Sequence, residues 1–368
     1  MLKIGKKYFI VLIVIMLQSF VSFVSAQNIS FLTDYLGNVS VFDNGKMQDI
    51  EHQPLRSYKI GNNAMAYETN SGNFKIYSKH FVHNCGVNVD DYKVSNNYIV
   101  FSYKKILKLF DNNKIILLSL SSPSYFVGTN MVIWYDDVQH SVKAYCNEKF
   151  YDLDDALATD LINKMSCANN IATFVDSRNY LNIFYNKEVF PIDFSERVSE
   201  IKCGKNLVAF VYELNNSFQC LYFGELTEIE NFRPASFKTA DDFVAYIDAN
   251  GYFKVFRDFG VETLDFNTPD FYECKNDIMV FGVQNYFKAY LNSRVFTLES
   301  RIPDTYYINN NVCAWIDQQG FLKYFNGEKI ETVSYETIKD FELNGNILKY
   351  KYGVGSETIY FNGKKYNN

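Results

Sequence analysis

Four aspartates crowd one short stretch: Asp152, Asp154, Asp155 and Asp160. Carboxylates that close could hold Ca2+ or a cationic partner, but the Asp-x-Asp-x-Asp-Gly order of a calcium loop is absent. The segment is expected to be a solvated turn with a short helix, and it is the first candidate for partner binding. His80, His83 and Cys85 form a second cluster of ligand-type side chains. On a strand His83 and Cys85 share a face while His80 points the other way. No second Cys/His pair follows at zinc spacing, so no metal site is expected. Glu200, Glu273 and Glu342 interrupt segments otherwise made of Tyr, Phe, Ile, Val and Cys. A glycan hydrolase could draw its paired carboxylates from such positions on different elements. No Ser/His/Asp order, phosphate-cradling glycine loop or Gly-x-Ser-x-Gly elbow occurs, and no cofactor is implied.

The elements that would position these residues repeat ten times. Each copy carries an Asn or Asp, three mostly apolar residues and an aromatic. The Asn/Asp positions are Asn28, Asn63, Asn97, Asn130, Asn170, Asn206, Asp242, Asp277, Asn311 and Asn346. Leu32 takes the aromatic slot in the first copy, and seven of the nine spacings between successive slots are 34 to 36 residues. Such a period means one supersecondary unit stacked on copies of itself. In the copy at Ala235 to Leu264, Ser236–Thr239, Phe243–Asp248, Tyr252–Arg257 and Gly260–Leu264 read as four strands. Asn, Asp and Gly between them tolerate the positive φ that hairpin turns require. Turn signals every six to eight residues exclude helical repeats of similar period.

Four antiparallel strands per roughly 35 residues is the blade of a β-propeller. With third strands such as Phe74-Lys75-Ile76-Tyr77 and Phe253-Lys254-Val255-Phe256, the chain resembles the propeller superfamily in the manner of tryptophan-aspartate and TolB-type repeats. That resemblance implies an architecture and no function. The expected fold is all-β, a propeller of about ten short four-stranded blades in one wide ring, with two smaller fused rings as the alternative. Because Asn28 is already a turn residue, the first blade should begin at its second strand. Pro54, Pro123, Pro234, Pro269 and Pro303 fall in the crossings between blades, since proline is excluded from central strands. Those crossings vary in length, which makes their rim the expected place of recognition.

The repeat also sorts scaffold from site. Cys167, Cys203 and Cys274 share one slot, filled elsewhere by Ile60, Val94, Val127, Thr239, Ile308 and Leu343. The seven cysteines are therefore expected to be free, buried thiols rather than a disulfide framework. Trp134 and Trp315 sit in the aromatic slot and should be buried between blades. Asp34, Asp136, Asp176, Asp248 and Asp317 end second strands and should make Asx turns.

Lys3, Lys6 and Lys7 followed by the apolar run Tyr8–Leu17 and by Val24-Ser25-Ala26 read as a signal peptide, 1–26, with the propeller over 27–368. Gln18, Ser19 and Ser22 interrupt the run short of the roughly 20 residues that span a bilayer. An exported protein at the periplasm, cell surface or outside is expected, with no transmembrane segment once the leader is gone. The net charge of −6 becomes −9 without the three leader lysines, which argues against nucleic acid as partner. The functional expectation is a non-catalytic binding or assembly module for a protein or glycan partner in the cell envelope, with a propeller-fold glycan hydrolase as the alternative.

Overall fold

The computed structural model describes residues 28–367 apart from 122–123, 155–164, 177, 179, 193–196 and 354–355. The described residues form ten antiparallel sheets and no helix. Nine sheets hold four strands in sequence order, and the first holds three, Ile29–Thr33, Val39–Asp43 and Lys46–Glu51. The blades, numbered in chain order, span 29–51, 55–87, 91–119, 125–154, 166–191, 198–230, 236–265, 271–299, 306–334 and 338–367.

Residue types follow position within the blade. The second strand lies between neighbouring blades on both faces, so Leu207–Tyr212 is buried at all six residues. The fourth strand forms the perimeter, and of Glu225–Glu230 only Ile229 is buried. Third-to-fourth turns such as Asn44-Gly45 and Asn112-Asn113 place both central residues at positive φ, the geometry that matches strand twist in a two-residue hairpin. The second-to-third turns are Asx turns. Asp248 Oδ1 accepts from the N–H groups of Asn250 and Tyr252, and Asp317 Oδ1 from those of Gln319 and Phe321. Asp34, Asp136 and Asp176 do the same.

Hydrophobic clusters straddle neighbouring blades rather than filling single ones. Trp315 of blade 9 packs among Ile278, Phe287 and Leu298 of blade 8, and Trp134 of blade 4 among Leu107, Leu109 and Leu118 of blade 3. A polar staple accompanies the aromatic slot. Tyr67 Oη donates to Glu51 at 3.1 Å, Tyr246 Oη to Glu230 at 2.9 Å and Trp315 Nε1 to Glu299 at 3.2 Å, each glutamate lying on the preceding blade. Lys75 and Lys254 reach the first two glutamates as well, so each of those half-buried carboxylates is paired with a cation. Where first strands converge, backbone meets backbone. A Cβ on Gly61, Gly128 or Gly204 would stand 1.9, 1.7 or 2.1 Å from a carbonyl oxygen of the next blade, a distance no side chain permits.

The ring closes by packing Leu32 and Phe42 of blade 1 against Ile347 and Ile359 of blade 10. One axial cavity is lined by residues of blades 3 to 10, from Asn96 round to Asn346. Ten blades therefore share a single axis, which overturns the alternative of two smaller fused rings.

Candidate functional site

Strand direction alternates across each blade, so the first-to-second and third-to-fourth turns share one face and the crossings lie on the other. On the turn face the motif residues of successive blades join side chain to side chain. Asn63 Nδ2 donates to Asn97 Oδ1, Asn97 Nδ2 to Asn130 Oδ1 at 2.5 Å, and Asn130 Nδ2 to Asn170 Oδ1 at 2.8 Å. Asn206 Nδ2 continues the pattern to Asp242 at 2.8 Å. The residue type marking the repeat thus builds an arc of carboxamides around the axis. A carboxamide has two N–H donors and two acceptor lone pairs, and the arc uses one of each on Asn97 and Asn130.

Over blades 2 to 4 this arc forms the inner wall of a groove of about 770 Å³. Its outer wall is made by the third-to-fourth turns, where Lys79 Nζ donates to Asn112 Oδ1 at 3.3 Å and Asn112 Nδ2 to Glu148 Oε1 at 3.5 Å. Tyr98 and Phe110 line its floor. Tyr98 occupies the slot after the motif Asn, which holds Ile29, Ile171, Ile278 and Ile347 in other blades and a second aromatic at Phe243, and it is the slot's one hydroxyl-bearing residue. Asp111 accepts from Tyr145 Oη at 3.2 Å, and burial raises its carboxyl above the ordinary value. Burial, then the Asp111 charge, also raises the Tyr98 phenol. A volume in the range of small-ligand pockets, with carboxamides on the inner side and Lys79, Asn112 and Glu148 on the outer, can hold a hydrogen-bonding chain.

The axial cavity beneath, about 370 Å³, gathers Lys205, Asp241 and Asp277 with Asn96, Asn169 and Asn276. Asn169 Nδ2 donates to Asp241 Oδ1 at 3.1 Å across the intervening blade. Burial and then the charge of Asp277 push the Asp241 carboxyl up to about 6. Asp277 is raised too, by burial and by Asp242.

The residues singled out in the sequence are not brought together here. Asp152 and Asp154 lie within the fourth strand of blade 4, Lys149–Asp154, and not in a turn or helix. The physical reason is the period of two. Tyr151 and Leu153 pack against the core between blades 4 and 5 while Asp152 faces out, 3.1 Å from Lys143 Nζ. Asp155, Asp160 and the leader at 1–26 lie outside the described residues. Glu200 sits 3.6 Å from Arg233, Glu342 3.3 Å from Lys349, and Glu273 accepts from Tyr306 Oη at 3.2 Å, each on a different blade. His80 Nδ1 lies 3.1 Å from Asp43 of blade 1, and the His83 ring packs on Phe110. Among the described residues no group of three or more His, Cys, Asp or Glu is placed to hold a metal. All seven cysteines are free. Cys85, Cys146, Cys220 and Cys313 are buried, while Cys167, Cys203 and Cys274 are half-buried where first strands meet. Burial pushes the Cys85 thiol up to about 12. The groove's carboxamides were visible in the sequence as turn residues, and Tyr98, with Phe243, as an aromatic in a mostly aliphatic column.

One ring of ten blades with a polar turn face defines the class, a ten-bladed β-propeller. The family model described as a 10-bladed beta propeller domain matches residues 23–366, and the chain belongs to that family. No curated protein matches it. Among solved structures it is similar to the computationally designed Ika8 protein, at 11% identity over 83% of this chain and 96% of that one, with a TM-score of 0.34. It is similar to yeast RCC1 (Prp20) bound to Kap60, at 9% identity over 60% and 72% with a TM-score of 0.35. Human WBSCR16 matches at 8% identity over 66% and 90% with a TM-score of 0.36.

Proposed function

We propose that this chain is an exported, non-catalytic binding module of the cell envelope, and that its ligand is a glycan or similarly neutral, hydroxyl-rich chain lying in the groove over blades 2 to 4. The observation that carries the reading is the wall of Asn97 and Asn130, each with one N–H and one lone pair used by the arc and the other pair available to a ligand. Carboxamides bind hydroxyls without the desolvation cost that a charged wall would impose. Tyr98 and Phe110 are almost wholly buried and present only an edge to the groove, so they set its depth beneath a ligand held by the carboxamides. Export rests on the basic start, Lys3 to Lys7, and the apolar run that follows it.

The test is calorimetry against a panel of envelope oligosaccharides with wild type and Tyr98→Ile. Ile stands in that slot in four other blades, so the variant should fold, and its affinity should fall roughly tenfold, about 1.4 kcal/mol. Asn97→Ala should act in the same direction. A panel that yields no binding, or binding indifferent to both changes, overturns the groove reading. Released sugars would replace it with the hydrolase. Recovery of the chain from the cytosol with Met1 intact would overturn export.

A further inference from the structure

Two third-to-fourth turns depart from the chemistry of the others. Seven of the two-residue turns carry only Asn, Gly, Lys, His, Glu or Ser at their central positions, from Asn44-Gly45 in blade 1 to Asn362-Gly363 in blade 10. Blades 6 and 7 place Phe223 and Phe259 there, at φ of 50° and 58°. A bulky side chain in the left-handed region costs backbone energy that Asn or Gly avoids, and strain of this kind collects at ligand-binding sites. The two phenylalanines are 49% and 51% exposed, so burial does not offset that cost.

Their rings are nonetheless held in place. Tyr222 is buried against both, with ring centres 4.8 Å from Phe223 and 5.0 Å from Phe259 and its plane nearly perpendicular to each. The Tyr222 hydroxyl donates to the Asp242 carbonyl at 3.2 Å and accepts from the Asp258 N–H at 3.2 Å. The Asp258 carboxylate stands exposed next to Phe259, 3.6 Å from Arg257 Nε.

This pair lies at the end of a track that begins in the groove. The groove over blades 2 to 4 shares Asn130 and Asn147 with a second cavity of about 260 Å³ over blades 4 to 6, where Asn170, Tyr185, Lys187 and Asn206 also form the walls. Asn206 Nδ2 donates to Asp242, and the Asn206 carbonyl accepts from the Phe223 N–H at 2.9 Å. A Cβ on Gly224 would stand 3.7 Å from the Tyr185 ring, so the blade 6 turn abuts the second cavity. Polar walls and then an aromatic ledge follow one another round the turn face.

We propose that Phe223 and Phe259 are a stacking platform for the far end of the ligand, which is an oligosaccharide long enough to run from blade 2 to blade 7. For its near end the proposal rests on the groove reading. Tyr98 and Phe110 are buried in the groove floor, so the aromatic surface that the C–H face of a sugar ring needs is offered at blades 6 and 7 instead. Asp258 stands beside that surface as an acceptor for ring hydroxyls.

The experiment is calorimetry of wild type, Tyr98→Ile and the double variant Phe223→Asn/Phe259→Asn against neutral glucan, mannan and chitin oligosaccharides, from the disaccharide to the octasaccharide. Asn is the common residue of these turns and tolerates positive φ, so the double variant should melt no lower than wild type. Wild-type affinity should rise with chain length. The double variant should lose roughly tenfold on the longest chains, the scale of two aromatic contacts, and bind the shortest unchanged. Affinity independent of length, or a double variant that binds every length as wild type does, overturns the platform and leaves the groove reading standing. Binding lost in the double variant but indifferent to Tyr98→Ile overturns the groove reading and keeps the platform. No binding to any oligosaccharide overturns both. A double variant that melts well below wild type shows that the phenylalanines serve to cover Tyr222. Loss of wild-type self-association in sedimentation assigns the pair to a contact with a second copy of the chain. Either of these last two results also overturns the proposal.

Discussion

Replacing Trp315 by alanine should lower unfolding stability by about 3–5 kcal/mol, the range for truncating a buried aromatic. The side chain is fully buried, packs on Phe287 of the preceding blade with ring centres 6.0 Å apart, and donates from Nε1 to Glu299 at 3.2 Å. Trp315→Phe keeps most of the packing but strands the Glu299 carboxylate, for a cost of about 1–2 kcal/mol. Trp134 offers an internal control. It is equally buried, yet its Nε1 has no hydrogen-bond partner, so Trp134→Phe removes an unsatisfied donor and should cost less than Trp315→Phe. Urea unfolding of the three variants reads all of this. Equal costs for the two phenylalanine variants would show that the interblade hydrogen bond contributes nothing.

The second large effect is a gain. Asp241→Asn should stabilise the protein above pH 6, by about 1–2 kcal/mol once the coupling to its acidic neighbours is discounted. Burial and Asp277 raise the folded-state pKa from 3.8 to about 6. A carboxyl raised in this way contributes stability that is complete below about pH 4, where it is protonated in both states. That contribution is lost as pH rises through 6, because the folded protein must then hold a charge it disfavours. Asparagine keeps an oxygen for Asn169 Nδ2 and carries no charge near Asp242 and Asp277, while Lys205 keeps Asp277 as an anionic neighbour and loses Asp241. Unfolding at pH 4 and pH 8 tests the sign: the variants should converge at the lower pH and separate at the higher. A variant less stable than wild type at pH 8 would mean that the Lys205 pairing outweighs burial.

The sequence by itself determined the unit and its count. Periodic Asn, Asp and Gly at two fixed places force hairpins, because only such residues adopt the required backbone cheaply. The aromatic slot, the Asx aspartates and the cysteine column were legible for the same reason: each is a local requirement met in every copy. What lies between copies was not. That ten blades make one ring rather than two depends on the small angle each blade adds to its neighbour, a quantity summed over the whole chain and encoded in no single repeat. The glycines Gly61, Gly128 and Gly204 are explained only by carbonyls of the following blade, some 35 residues away in sequence. The four aspartates drew attention because they are adjacent in sequence, yet strand alternation turns Asp152 outward beside Lys143. The groove, by contrast, is made of residues that each looked like an ordinary turn or core position. Asn63, Asn97 and Asn130 became a wall only when tertiary structure stacked three blades and joined their side chains, because adjacency across blades is set by packing and not by the chain.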